Sequence, residues 1–466
     1  MQVDTVWKGA GLFACLCLLV LFYQTPAQPL PANGSHREHE TMEKRTRVGA
    51  IHMLEDDDFF RRSQTTLDGL NTVTRALHHA QRKGELRIAI LGGSVSAGGG
   101  CRSCKPKIIP ECGLCWHSVL SEQMRRRGLN VRIVNGARGS TGPDFAYLCA
   151  DMLLQEKRTS KRAEIFDLVI LEFGINAGRG PDCTQIGKNM EALLTRARSI
   201  AHAVIFLNTF SRNIYMDAAL CFDILARYHS VPSVSWKDAL WPLIRNGHVQ
   251  PADVFQLPLL HHPNVQGHRQ LGMIIARLLE RANQTWMSTA EPMRLSVPPL
   301  YGQRGAPQHA HARFATCIDA EHLKPSANLG WSLKGTGTTW WYASSVNANL
   351  TLPILCEQAG CGLVLLLTRS YQPLGMLDIF VDGKLRYQKV SAADKIWALK
   401  QDPKHTIQRL LRVIEPGTST GLRMGAHALT VICRGETDPD LATVHLLGNA
   451  YMPNEVHVRG LIVMYE

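Results

Sequence analysis

The sequence predicts an α/β domain built on a parallel sheet, followed by an all-β sandwich of jelly-roll type. Three observations carry this. From about residue 86 to residue 285, near-continuous apolar runs alternate with amphipathic helical periods, the pattern of a parallel sheet covered on both faces. Beyond residue 317 the runs become short strands bounded by turn residues, with no strong helical period between them. At 466 residues and 45% hydrophobic composition, the chain can build more than one core, since single cores rarely exceed ~250–300 residues.

Residues 1–27 carry an uncharged run from Gly9 to Tyr23 and end in small residues after Thr25-Pro26. The run is short for a bilayer span of ~20 residues, so it reads either as a cleaved signal peptide or as a signal anchor. Residues 28–55, Pro-rich and then charged, read as a stalk. The α/β domain spans 56–290. It opens with one helical stretch from Asp56 to Lys83, followed by the strands LRIAIL, VRIVNGA, FDLVILEF, HAVIFLN and VPSVSW. Helical periods lie between them and after the last, ending with VQGHRQLGMIIARLLERANQ. A Pro-, Gly- and His-rich linker covers 291–316, and the sandwich covers 317–466, with Asp382-Gly383 as a hairpin turn.

Entry into the secretory pathway changes how the 13 cysteines read. Cys101, Cys104, Cys112 and Cys115 would suggest zinc in the cytosol; in an oxidising lumen disulfides are the favoured reading, and Cys356 and Cys361 bracket a small stapled loop. Sequons stand at Asn33, Asn283 and Asn349. The net charge of +12 is dispersed, and no nucleic-acid motif accompanies it. No metal or other cofactor is expected.

The stretch LGGSVSAGGG, residues 91–100, follows the first strand of the parallel sheet. It lacks the lysine of a phosphate-binding loop, the spaced glycines of a dinucleotide fingerprint, and the second glycine of G-x-S-x-G. What remains is Ser94 at a strand end. The ends of the next strands supply Asn135-Gly136-Ala137-Arg138-Gly139 and Gly174-Ile175-Asn176, and His262-Pro263-Asn264 opens the last helix. A hydroxyl, an imidazole base, a glycine N–H and an asparagine amide are the parts that acyl transfer needs.

In these four ordered blocks the sequence resembles the SGNH/GDSL hydrolases over about residues 86–280. The resemblance implies a flavodoxin-like three-layer α/β/α domain and ester hydrolysis through an acyl-enzyme. It implies Ser94 as nucleophile and N–H donor, Gly139 and Asn176 as the other oxyanion donors, and His262 as general base. LEFGINAG also looks like the third block of eukaryotic relatives acting on cell-surface glycans. Two departures stand out: Leu259 occupies the position of the family's aspartate three residues before the histidine, and Ala177 that of the aspartate after the asparagine. Loss of a triad acid can cost ~10⁴ in rate; Asp253, or a backbone carbonyl, is the candidate replacement.

These readings lead to a secretory-pathway serine esterase, secreted or held in the Golgi or endoplasmic reticulum lumen through residues 9–23. Its expected substrate is an acylated carbohydrate, above all O-acetyl groups on glycans. The rivals are a non-catalytic carbohydrate-binding or structural glycoprotein on the same fold, and a lipid-directed esterase. His261 and His268 read as helix-capping rather than metal-binding, Glu172 as a buried acid of undetermined surroundings, and Trp331, Trp340 and Trp341 as sandwich core before sugar platform.

Overall fold

The computed structural model describes residues 56–101, 114–154, 165–176, 183–212, 218–258, 260–285, 300, 314–334, 340–343, 345–370, 375–391, 406–414, 416, 421–437 and 456–465. Residues 9–23, Cys104, Cys112, Ala177 and Leu259 lie outside them.

The α/β part runs α1 (Asp57–Ser63), β1 (Gln64–Thr66), α2 (Leu70–Lys83), β2 (Glu85–Gly92), α3 (Trp116–Arg126), β3 (Asn130–Asn135), α4 (Pro143–Leu154) and β4 (Phe166–Glu172). It continues with α5 (Cys183–Ile200), β5 (Ala201–Asn208), α6 (Ala219–Tyr228), β6 (Ser233–Ser235), α7 (Trp236–Arg245), α8 (Pro251–Val254) and α9 (Val265–Gln284). The sheet order is β1-β6-β5-β4-β2-β3. Strands β2 to β6 are parallel, and their order, renumbered from the first parallel strand, is the flavodoxin order 2-1-3-4-5. The crevice for ligands in such a sheet lies at the switch point, here between the C-terminal ends of β2 and β4.

One expectation needs correcting: Asp56 to Lys83 is not a single helix. Gln64–Thr66 leaves the helical path and pairs antiparallel with β6, so the parallel sheet gains an antiparallel edge. The second helix restarts after Gly69, which holds φ 75° at the N-cap, a conformation that costs glycine little.

Ala89 and Leu91 of β2 and Val169 and Leu171 of β4 pack with α4, α5 and α6 in one core. Because side chains alternate along a strand, Ile88, Ile90, Ile170 and Glu172 face the other layer, where α3 and α2 pack against α9.

The β part comprises β7 (Phe314–Asp319), β8 (Ala327–Leu329), β9 (Ser332–Lys334), β10 (Trp340–Ala343), β11 (Asn349–Cys356), β12 (Gly362–Ser370), β13 (Gly375–Val381), β14 (Lys384–Ser391), β15 (Thr406–Ile414), β16 (Gly425–Thr437) and β17 (Val456–Tyr465). Two antiparallel sheets, β14-β13-β16-β11-β8 and β15-β12-β17-β10-β9 with β7 beside β17, enclose the sandwich core. Asp382-Gly383 makes the expected tight turn between β13 and β14, with φ 51° and 72°. The favoured reading of the tryptophans holds for two: Trp331 is in the core, and Trp341 packs against it while donating from Nε1 to Ala320 O at 3.0 Å.

The two parts are packed against each other. Leu363, Leu365 and Leu367 of β12 point into the sandwich core. Val364 and Leu366, alternating with them, join Ile462 and Met464 of β17 against Phe145, Leu148 and Cys149 of α4. A disulfide between Cys149 and Cys317, 168 residues apart in sequence, crosses the same boundary. Among the described residues three more disulfides join Cys101 to Cys115, Cys183 to Cys221, and Cys356 to Cys361. Cys101 and Cys115 are therefore disulfide partners, and the staple at Cys356 is present. No helix among the described residues is long and apolar enough to cross a membrane.

Candidate active site

Ser94 stands two residues beyond the end of β2, Asn176 four beyond β4, and His262 three before α9. All three therefore lie around the carboxyl edge of the sheet at the switch point. His262 Nε2 is 2.8 Å from Ser94 Oγ although 168 residues separate them, so the sequence-predicted serine and histidine meet at hydrogen-bond distance. Gly139 is next to them: a Cβ built on it would sit 3.9 Å from Ser94 Cβ. Its loop is tied down by Gly136 N–H to Ile90 O at 2.9 Å and Arg138 N–H to Gly92 O at 3.0 Å. Asn135 at the end of β3 donates from Nδ2 to Ser96 O at 2.8 Å. Ser140, immediately after Gly139, holds φ 65°, a left-handed conformation that non-glycine residues adopt at a cost and that clusters at functional sites.

The glycines beside Ser94 make room rather than slack. A Cβ at Gly93 would fall 1.9 Å from Asn176 Oδ1, and one at Gly99 would fall 2.8 Å from His262 Cδ2 and 3.0 Å from its Nε2. Only hydrogen in those positions lets the amide and the imidazole close on the serine loop. Asn176 Oδ1 is buried without a hydrogen-bond partner in the structure.

His262 is carried on a loop pinned at several points. Gln256 N–H donates to His262 O at 2.8 Å, Phe255 bridges Pro263, and Asn264 caps α9 by accepting from the Gln266 and Gly267 N–H groups at 2.9 and 3.1 Å. His261, edge-on to His262 at 4.4 Å between ring centroids, has Nδ1 3.0 Å from Ser211 Oγ. Asp253, the candidate replacement acid, accepts from the Gln250 N–H at 2.9 Å and closes the short turn α8; burial raises its pKa, partly offset by that bond.

His268 is buried inside α9, which Asn264 caps, and it serves the first N–H of α3 instead. Its Nδ1 lies 3.3 Å from the Trp116 N–H and its Nε2 2.8 Å from Gly99 O. A backbone N–H can only donate and a carbonyl can only accept, so the ring is neutral with its proton on Nε2. Burial agrees, pushing its pKa down to about 4. The result is a fixed carbonyl at Gly99, the residue against which His262 packs.

Sequence reasoning had no signal for Arg138 in this setting. Its guanidinium makes a two-pronged ion pair with Asp319 at the end of β7, with Nη2 to Oδ2 at 2.6 Å. The loop that carries Gly139 is thus tied to the β part.

Away from the site, His79, Asp167 and His202 cluster near the opposite edge of the sheet. The Asp167 carboxylate is already taken: His79 and Lys83 meet it at 3.0 and 3.1 Å, and the Arg87 N–H donates at 2.8 Å. Burial alone would raise its pKa, and these bonds outweigh burial and lower it, as expected for an internally satisfied carboxylate.

A solved two-domain esterase, described as active on acetylated mannans and crystallised with mannopentaose, shares 19% identity with this chain. The match covers 87% of this chain and 98% of that one, at a TM-score of 0.58. A second structure of the two-domain esterase active on acetylated mannans matches at 18% identity, 87% and 99% coverage, and a TM-score of 0.59. The chain shares the fold of that two-domain esterase, an α/β domain on a parallel sheet followed by an antiparallel β part. No protein-family model and no curated protein matches it. Within this fold, the Ser94–His262 pair occupies the switch-point edge of the parallel sheet.

Proposed function

We propose that the protein is a serine ester hydrolase of SGNH type whose substrates are acyl esters, foremost O-acetyl groups on glycans. The observation that carries this is the 2.8 Å approach of His262 Nε2 to Ser94 Oγ, within the reach a general base needs. Ser94 Oγ attacks the ester carbonyl carbon while His262 Nε2 takes its proton. The oxyanion is held by the Ser94 and Gly139 N–H groups and by Asn176 Nδ2, preorganised donors of the kind that dominate acyl-transfer catalysis. Collapse expels the alcohol, protonated by His262, and leaves Ser94 acylated; a water deprotonated by His262 then attacks the acyl carbon, the bond to Ser94 Oγ breaks, and His262 returns the proton to Oγ as the acid leaves. The group that orients the His262 imidazole is Asp253 or a backbone carbonyl.

Glycan esters are favoured as the substrate because the chain is similar, over both its parts, to an esterase described as active on acetylated mannans. The four disulfides among the described residues support work in an oxidising compartment, reached through residues 9–23, cleaved or kept as an anchor. The test compares wild type with Ser94→Ala on a short chromogenic acetyl ester, then on acetylated glycans and long-chain lipid esters. Loss of about 10³-fold or more in kcat for Ser94→Ala is expected, with acetylated glycans preferred. Equal rates for the two proteins sink the enzyme reading in favour of a binding protein, and preference for long-chain esters sinks the glycan assignment.

A further inference from the structure

Burying a carboxyl in a strand that is otherwise apolar costs stability unless its oxygens are used. Glu172, the last residue of β4, is fully buried, and each of its oxygens has a partner. Oε2 accepts from Ser96 N–H at 3.2 Å and from Ser96 Oγ–H at 2.8 Å; Oε1 lies 2.5 Å from Thr209 Oγ1. The hydroxyl of Ser96 can donate because its own acceptor role is filled by Trp116 Nε1–H at 3.2 Å. Meanwhile the backbone oxygen of Glu172 accepts from Gly93 N–H at 2.9 Å.

One residue therefore grips the serine loop on both sides of Ser94. Its carbonyl holds Gly93, the residue before, and its carboxyl holds Ser96, two residues after. The remaining turn bonds of the loop are internal: Ala97 N–H to Gly93 O at 3.0 Å, Gly98 N–H to Val95 O at 3.1 Å and Gly99 N–H to Ser94 O at 2.8 Å. These fix the loop's shape, whereas Glu172, with Asn135 on the Ser96 carbonyl and His268 on the Gly99 carbonyl, fixes its place on the sheet.

We propose that Glu172 is a positioning residue for Ser94, its carboxyl fixing the Gly93–Gly100 loop through Ser96 and Thr209 so that Ser94 Oγ stays within reach of His262. This rests on the serine esterase reading. Burial raises the Glu172 pKa to about 7, against the lowering effect of the Thr209 and Ser96 bonds. The geometry serves either form, because a protonated Oε1 can donate to Thr209 while Oε2 still accepts from Ser96. The neutral isostere glutamine can reproduce the same bonds, accepting from Ser96 and donating to Thr209. Methionine fills similar space and can make none of them.

The experiment measures kcat and KM of the full chain on a short acetyl ester, together with the rate of fluorophosphonate labelling at Ser94. Glu172→Gln is expected to keep kcat within about threefold of wild type, while Glu172→Met lowers kcat and the labelling rate about a hundredfold with KM within about threefold, the signature of misplaced reacting atoms. A Glu172→Met protein with the kcat of Glu172→Gln overturns the proposal, since shape alone would then suffice. Should Glu172→Met fail to fold, Thr209→Val and Ser96→Ala each remove part of the grip. Each is expected to lower kcat about five- to tenfold at unchanged KM, a loss of the size of one hydrogen bond, and wild-type kcat in both overturns the proposal. Ser94→Ala separates the two readings. Wild-type activity in that variant discards the esterase assignment itself, whereas an inactive Ser94→Ala beside a fully active Glu172→Met discards only the role of Glu172.

Discussion

Arg138 and Asp319 face each other across the boundary between the α/β part and the β part, both guanidinium Nη nitrogens on both carboxylate oxygens. Arg138 is the residue before Gly139, so the sandwich bears directly on one wall of the proposed oxyanion hole. Two-pronged pairs add geometry as well as energy, and this one is partly shielded, with side-chain exposures of 38% and 13%. Asp319→Asn is expected to lower stability by about 1–2 kcal/mol, after discounting for the exposed arginine, and to lower kcat several-fold at little change in KM. Chemical denaturation with steady-state kinetics checks both; a variant indistinguishable from wild type in the two measurements removes the coupling.

Gly99→Ala places a methyl group 2.8–3.0 Å from His262 Cδ2 and Nε2 and from Ser94 O. Either the ring tilts from the serine or the Ser94 carbonyl gives way, and both displace the reacting pair. The expected outcome is a drop in kcat of about 10²-fold, the cost of a displacement near 1 Å, with a far-ultraviolet circular dichroism spectrum like that of wild type. Retained kcat would show that the imidazole tolerates the displacement.

Two buried titratable groups predict opposing dependences of stability on pH. Glu172 moves from 4.5 up to about 7; between those values the native state keeps a proton that the unfolded state has lost, so stability falls as pH rises. His268 moves from 6.5 down to about 4; between those values the unfolded state holds a proton that the native state excludes, so stability rises with pH. Each spans up to about 3 kcal/mol, and in wild type they largely cancel between about pH 4.5 and 6.5. Glu172→Gln should therefore expose a stability that climbs through that window. Urea titrations at several pH values check it, and parallel curves for the variant and wild type would contradict it.

The Cys149–Cys317 bridge closes a separation of 168 residues. In the chain-entropy account a bridge of that span stabilises by up to about 5 kcal/mol. The Cys149→Ala, Cys317→Ala double variant is expected to lose a few kcal/mol, read as a lower denaturation midpoint. A midpoint equal to that of wild type would place the stabilisation in the apolar contact alone.

Strands β2, β4 and β5 were legible because each is a long apolar run with helical periods on either side, and the four site blocks were legible because they sit at the ends of strands or the start of a helix. The edge strand Gln64–Thr66 was not: three residues carry no period, and only the exposed side of β6 makes them a strand. The place of Glu172 depended on which face of β4 it took, and a run buried on both faces leaves no alternation to read. Arg138 pairs with a residue 181 positions away, beyond any local pattern. One signal was available. GLVLLL in β12 is continuously apolar where β11 alternates, and the structure shows the reason in its two buried faces.

That doubly buried strand bears on how such a chain can be inherited and rearranged. Parting the two halves would bare Phe145 and Leu148 on one side and Val364, Leu366, Ile462 and Met464 on the other. It would also leave Cys149 and Cys317 as orphaned thiols. Gene shuffling that swaps one half for a foreign module therefore has to carry a matching apolar patch and a matching cysteine at once. The halves are heirlooms handed down as a set rather than interchangeable beads on a string.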